Sequence, residues 1–437
     1  MTRRNGQLLR RASRVKIDEH FTKLSKKWRS TKWINSNNRY RLRCTSRFEK
    51  DLKERPIAVN ADHLIKYVSA SSATHAIDGW SILGRAVESA LRGDSYSSIH
   101  FGYYAELRAA MALLAAEGIG VFDRQHAVID ANGAVLAFPV NRNPARLATP
   151  SKAGTHQMIW PVLNYWSGLG KAGDLINSAV RPNMISMPVW LSTLGLHVPI
   201  GAVARQWLST WGIDLAGAES DHDLRNLASY RPSEFRKPPA IPPSQLINFV
   251  EELWQLFEPS TARRFPNLER VLLRQVIGTS HPGPIGTNQL ANLGMNTFEA
   301  QSWATYLAST KDPLPISLAR QTERIEGAEC ALNVISRAAL LLFVATSAVR
   351  RMLATAGFTT MDLAFWWHRH GEERTLWDTA TTPLDPIDVW QDVLQSITDS
   401  KTWCAANPGS SVRAWRAATP VGILSGFDLV AIWGLVP

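Results

Sequence analysis

Residues 98–114 read Ser98-Ile-His-Phe-Gly-Tyr-Tyr-Ala-Glu-Leu-Arg-Ala-Ala-Met-Ala-Leu-Leu114, and the spacing of their apolar side chains decides the fold class. On a helix over Ile99–Ala116, His100, Tyr104, Leu107 and Met111 share one face, while Tyr103, Glu106 and Ala110 lie beside it. A helix built only to pack would carry Leu or Ala where this one carries Glu106 and Arg108. The two are two residues apart and point in different directions, so each needs a partner elsewhere if it is buried. Two readings follow: the groups form interhelix salt bridges with the tyrosines at the edge of the core, or they line a buried polar site.

Working outward, the helical pattern begins near Val59, with Ile77, Trp80, Leu83, Val87 and Leu91 at spacings of three and four. Gly118 stands where a helix stop belongs. The β-prone runs Gly118–Phe122, Ala127–Asp130 and Ala134–Phe138 follow, and Asn132-Gly133 between the last two signals a tight hairpin. Helical patterns resume around Ile159, Trp160, Leu163 and Trp166, then over Pro188–Leu196 and Val203–Trp211. The prolines at 232, 238, 239, 242 and 243 break helices and mark the best boundary in the chain. Beyond it, Leu246–Phe257, Leu268–Ile277 and Ile325–Ala356 read as helices. The expected architecture is mainly α: a helical domain over 56–232 with a β-hairpin near 119–138, a Pro-rich linker over 233–243, and a second helical domain over 244–437.

The formal net charge of +11 is unevenly placed. Residues 1–55 hold 18 Lys+Arg against 5 Asp+Glu, a net of +13, and the remaining residues hold 30 against 32, a net of −2. A basic N-terminal arm suits a polyanion, either nucleic acid or an acidic membrane surface; the plain alternative is a solvated extension. Its candidate nucleic-acid contacts are Arg3, Arg4, Arg10, Arg11, Lys26, Lys27 and Arg29. Phe21, Leu24, Trp28 and Trp33 interleave with the lysines, as in a short amphipathic helix that orders on a partner. Most of the 17 Trp fall in apolar runs and are expected to pack.

Cys44, Cys330 and Cys404 are too few and too scattered for a disulfide framework or a zinc site, which points to a reducing compartment. Ala338–Val349, about 12 residues long, falls short of the ~20 a helix needs to cross a bilayer, so it reads as a core helix. The tail from Pro420, interrupted by Gly422, Gly426, Asp428 and Gly434, reads as a docked terminal helix. A cytoplasmic location without a membrane span is expected. His368 and His370 with Glu372 and Glu373 read as a helix end, and neither a metal nor a cofactor is expected. The chain has no Walker-type loop, no G-x-S-x-G and no paired Cys-x-x-Cys, so ATPase, serine-hydrolase and zinc-finger readings drop away.

A second polar segment runs Asp221-His-Asp-Leu-Arg-Asn-Leu-Ala-Ser-Tyr-Arg-Pro232. Asp221 or Asp223 suits an N-cap, placing Arg225-Asn226 in the first helical turn. This pattern resembles the nuclease motif of the HEPN superfamily, all-helical proteins of prokaryotic toxin and phage-defence systems. The resemblance implies that Arg225 holds a scissile phosphate with Asn226 beside it, and Tyr230 or Arg231 stands where that family has its acid/base His. Arg14 with His20 and Arg274 with His281 also match the motif spacing, at the level chance supplies. The expected site joins Arg225, Asn226 and Tyr230 to Glu106, Arg108 and Tyr104. The function so read is a nucleic-acid-engaging protein of the phage-defence or toxin type; the alternative is a non-catalytic helical subunit of a multi-protein defence complex.

Overall fold

The structure is a computed structural model that describes residues 2–26, 32–54, 59–138, 154–211, 241–262, 264–280, 283, 285–321 and 329–436. Three helices, α1 (Arg3–Arg11), α2 (Val15–Lys26) and α3 (Cys44–Lys53), precede a pair of long ones, α4 (Ala61–Leu91) and α5 (Ser95–Ala116). The Asn60 side chain caps α4 by accepting from the His63 amide, and Asp94 caps α5 by accepting from Ser97. Between them Gly93 turns the chain at φ 75°, so α4 and α5 pack against each other along their lengths.

Gly118 ends α5 at φ 80° and leads into an antiparallel sheet of order β1 (Ile119–Phe122), β2 (Gln125–Ile129), β3 (Val135–Ala137). Ile119 faces Val128, and Val128 faces Leu136 across the next pair. A side chain at 118 would lie 2.5 Å from the Ser13 carbonyl oxygen. Gly118→Ala should therefore cost more than the ~1–2 kcal/mol of the left-handed backbone alone, because Ser13 must also move. A wild-type melting temperature for that variant would refute so close an approach of the N-terminal segment.

After the sheet come α6 (Thr155–Ser167), α7 (Gly170–Ala179), α8 (Met187–Thr193) and α9 (Ile200–Trp211). Past the proline run come α10 (Pro243–Leu256), α11 (Pro266–Ser280), α12 (Thr287–Ala291), α13 (Thr297–Ala308) and α14 (Leu314–Ala319). The chain closes with α15 (Glu329–Thr355), α16 (Ala364–Glu373), α17 (Trp390–Ala406), α18 (Val412–Ala418), α19 (Val421–Leu424) and α20 (Asp428–Leu435). The protein is mainly α with one small antiparallel sheet.

The apolar stretch Ala338–Val349 forms the middle of α15, which lies along α5 and α4 and also meets α14, α20 and α7. Gly102 permits the approach, since a side chain there would meet Val334 Cγ1 at 2.7 Å. Among the described residues α15 alone has the length and composition to cross a membrane, and 89% of its most apolar window is buried. One apolar cluster, running from Leu9 to Val436, includes residues from both sides of the proline run. Trp80, Trp166, Trp190, Trp254, Trp367, Trp415 and Trp433 are among its largest fully buried side chains. The terminal helix α20 is docked, with each of its eight residues buried.

The basic N-terminal segment does not stand apart from this body over its described residues. Leu9 of α1, Ile17 and Phe21 of α2, and Tyr40 and Phe48 around α3 are fully buried. Both α1 and α3 contact β2, while α2 packs on α4. Polar contacts fasten it further: Arg11 to Asp130 at 2.8 Å, the Ser13 amide to the Ile129 carbonyl at 2.9 Å, and Asn38 Nδ2 to the His63 carbonyl at 2.8 Å. Leu9 with Ala12 and Ile17 with Phe21 are apolar pairs at helical spacing. The density of Lys and Arg around them hides that pattern from a charge count.

Candidate functional site

Glu106, in the middle of α5, is fully buried. Its Oε1 accepts from Arg337 Nε of α15 at 3.0 Å. Arg108 turns the other way, toward α4, where its Nη1 lies 2.9 Å from His75 Nδ1. A guanidinium can only donate, so Nδ1 accepts and His75 is neutral, with its proton on Nε2. Burial, helped by the Arg108 charge, pulls the His75 imidazole down to about 3. The two polar groups of α5 thus diverge, as two residues at that separation must, and each spends itself on another helix.

Tyr103 and Tyr104 lie against His156 of α6, whose Nδ1 is 2.9 Å from the Tyr103 hydroxyl. His100 sits one turn from Tyr104, their ring centroids 4.9 Å apart. Arg225, Asn226 and Tyr230 lie outside the described residues, so their convergence on Glu106 and Arg108 is not part of this geometry. Of the two other Arg–His spacings, Arg14 pairs with Asp18 at 3.3 Å, and burial pulls His20 down to about 4. Arg274 is held by Asp312 at 2.7 Å and by the Lys311 carbonyl at 2.9 Å. His281, which completes that spacing, is outside the described residues.

A polar cluster that the sequence reading passed over lies farther along α4. His75, Asp78 and Ser81 recur every three residues along α4, among the buried Ala76, Ile77 and Trp80, and that spacing was the available signal. Ser81 Oγ donates to Asp428 Oδ1 at the start of α20, and His370 Nε2 of α16 lies 3.0 Å from the same oxygen. Arg374 Nε is 3.6 Å away. Burial pushes the Asp428 carboxyl up, but the hydrogen bonds from His370 and Ser81, with the nearby positive charges, outweigh it and hold the group below its ordinary value. Asp78 goes the other way: burial raises it despite Arg108, Arg374 and His370.

Ser, His and Asp are therefore together, but both Ser81 and His370 point at the carboxylate. The serine is hydrogen-bonded to the carboxylate and not to the imidazole, so the cluster lacks the Ser–His–Asp relay that activates a nucleophile. His370 also borders a cavity of about 300 Å³ that includes Trp33, Trp366 and Arg369. Among the described residues no group of three or more His, Cys, Asp and Glu gathers to hold a metal.

The candidate nucleic-acid contacts divide. Arg3, Arg4, Arg10 and Arg11 are exposed on α1; Arg10 donates to the Tyr165 hydroxyl at 3.1 Å, and Arg11 is committed to Asp130. Lys26 closes α2, and Lys27 and Arg29 fall outside the described residues. Arg41, Arg43 and Arg47, which the sequence reading did not single out, are exposed beside them in the chain. Fold and geometry thus define a mainly α protein with polar interhelix ties in its interior and a basic N-terminal layer at its surface. Comparison of the chain with protein-family models, with curated proteins and with solved structures found no match.

Proposed function

We propose that the protein engages nucleic acid by binding rather than by cleavage, as a helical subunit of the phage-defence or toxin kind. The observation behind this reading is the fate of the basic charge: over its described residues the segment of net +13 is folded onto the body, with Arg3, Arg4, Arg41 and Arg43 exposed. A fixed layer of guanidinium groups holds phosphates without first ordering a loose arm. A HEPN-like centre would need Arg225 with Glu106 and Arg108, and the last two are engaged with Arg337 and His75. That favours binding over chemistry at those positions.

The test is fluorescence anisotropy on labelled single-stranded RNA and duplex DNA across a salt series. The variant Arg3→Gln/Arg4→Gln/Arg41→Gln/Arg43→Gln should lower the salt slope by about 0.7 to 0.9 for each phosphate contact removed. The melting temperature should stay unchanged. An unchanged slope would remove the N-terminal layer as the contact and the reading with it.

A further inference from the structure

We propose that the cavity between the N-terminal segment and α16 takes one unpaired base of a single-stranded nucleic acid. The inference rests on the nucleic-acid reading above and names the form of nucleic acid that the basic layer suits. The cavity measures about 300 Å³, at the small end of ligand pockets, and Trp33 faces Phe365 and Trp366 of α16 in its wall. Trp33 meets Phe365 at 5.4 Å between centroids and 65°, and Trp366 at 5.8 Å and 56°. It is stacked on neither ring, so the three planes form a notch and not a closed pile. Trp33 and Phe365 are only half-buried, which leaves ring surface within reach of a ligand.

The charges around the aromatic wall select the ligand. Lys32, Arg41 and Arg369 also line the cavity and are exposed, and Glu373 is its one acidic wall residue among those described. Glu373 is taken by Arg369, one turn away on α16, at 2.6 Å. Arg41 has no ion pair among the described residues. An aromatic cage for a cationic ligand would carry carboxylates at its mouth, and this one carries guanidinium groups. Rings that stack on a flat π-face beside cations that hold phosphate are the two halves of single-strand recognition. A duplex keeps its bases stacked and paired inside, where they cannot enter such a notch. Arg41 joins the cavity to the exposed basic layer, in which Arg43 follows two residues on, so a phosphate backbone laid on that layer passes the cavity mouth.

Fluorescence anisotropy of the full chain tests it with two labelled oligomers of equal length, a single-stranded oligothymidylate and an abasic strand that keeps every phosphate and lacks the bases. The wild-type chain should bind the oligothymidylate about tenfold more tightly, the contribution of one stacked base. Trp33→Leu and Phe365→Leu, which keep an apolar side chain and remove a ring, should each bring the two affinities together while leaving the salt slope as it is, since no phosphate contact is lost. Arg41→Gln should lower that slope by about 0.7 for the one phosphate it holds. Arg3→Gln/Arg4→Gln should weaken both oligomers alike and keep their ratio. Melting temperatures accompany each variant; if Trp33→Leu does not fold, Phe365→Leu and the wild-type ratio decide. Equal wild-type affinity for the two oligomers, with a salt slope present, would overturn this inference and leave the charge-based reading standing. A ratio unchanged in folded Trp33→Leu and Phe365→Leu would overturn the assignment to this cavity, and no binding of either oligomer would overturn both readings.

Discussion

Glu106→Leu is expected to destabilise the protein by about 3–5 kcal/mol, because it leaves the Arg337 guanidinium buried against α5 without its carboxylate. The Arg337 side chain is only 12% exposed, so water cannot take the place of the lost partner. Replacing both residues, Glu106→Leu with Arg337→Leu, should recover most of the loss, since an apolar pair of similar volume avoids the desolvation of two charges. Urea-induced unfolding of the two single variants and the double variant forms a double-mutant cycle, and the interaction energy is its direct readout. A single variant with wild-type stability and no nucleic-acid activity would reverse the assignment and return Glu106 to a functional site.

The second large effect is acid sensitivity. His20 and His75 lie at about 4 and about 3 in the folded chain, both depressed first of all by burial. Above about pH 6.5 they are neutral folded or unfolded, and they contribute no pH dependence. As pH falls from 6.5 toward 4 the unfolded chain takes up protons that the folded chain refuses, so folding stability falls. Each histidine should remove on the order of 3 kcal/mol by pH 4. The buried carboxyls of Asp18, Asp78, Glu117 and Glu269 are raised by burial and work in the opposite sense. The histidine effect is therefore read as a difference between proteins. His75→Asn, which keeps an acceptor for Arg108, and His20→Leu should each show a shallower decline in stability than wild type between pH 6.5 and 4. Parallel curves for variant and wild type would show that these imidazoles take up protons freely in the folded state.

Local signals in the chain carried the elements they can carry. Gly118 marked the end of α5, Asn132-Gly133 marked the β2–β3 turn, and the three-four spacing from Ile77 to Leu91 marked α4. The apolar run at 338–349 was readable as a helix but its extent was not: α15 spans Glu329–Thr355, long and apolar enough to cross a membrane, and 89% of its most apolar window is buried. Partners were not readable. Arg337 lies 231 residues from Glu106, and Asp428 lies 347 from Ser81; periodicity says that a polar group faces inward, not which group meets it there. A cavity of about 260 Å³ bordered by Arg181, Arg264 and Arg351 draws its walls from Ser178 to Gly434, so no window of sequence contains it. The docking of the N-terminal layer was obscured for a different reason: its buried residues are few, and its charges dominate every average taken over the segment.

The position of α15 bears on how the chain is made. Its partners α4 and α5 leave the ribosome more than two hundred residues before it does, with the face that will receive Val334 and its neighbours still bare. Until residues 329–355 emerge, the α4–α5 hairpin has no lining for that face and presents apolar surface to whatever is nearby. Synthesis of this protein thus includes a long interval in which α4 and α5 lack the helix that covers them, and exposed apolar surface of that kind is what chaperones bind and what leads to aggregation.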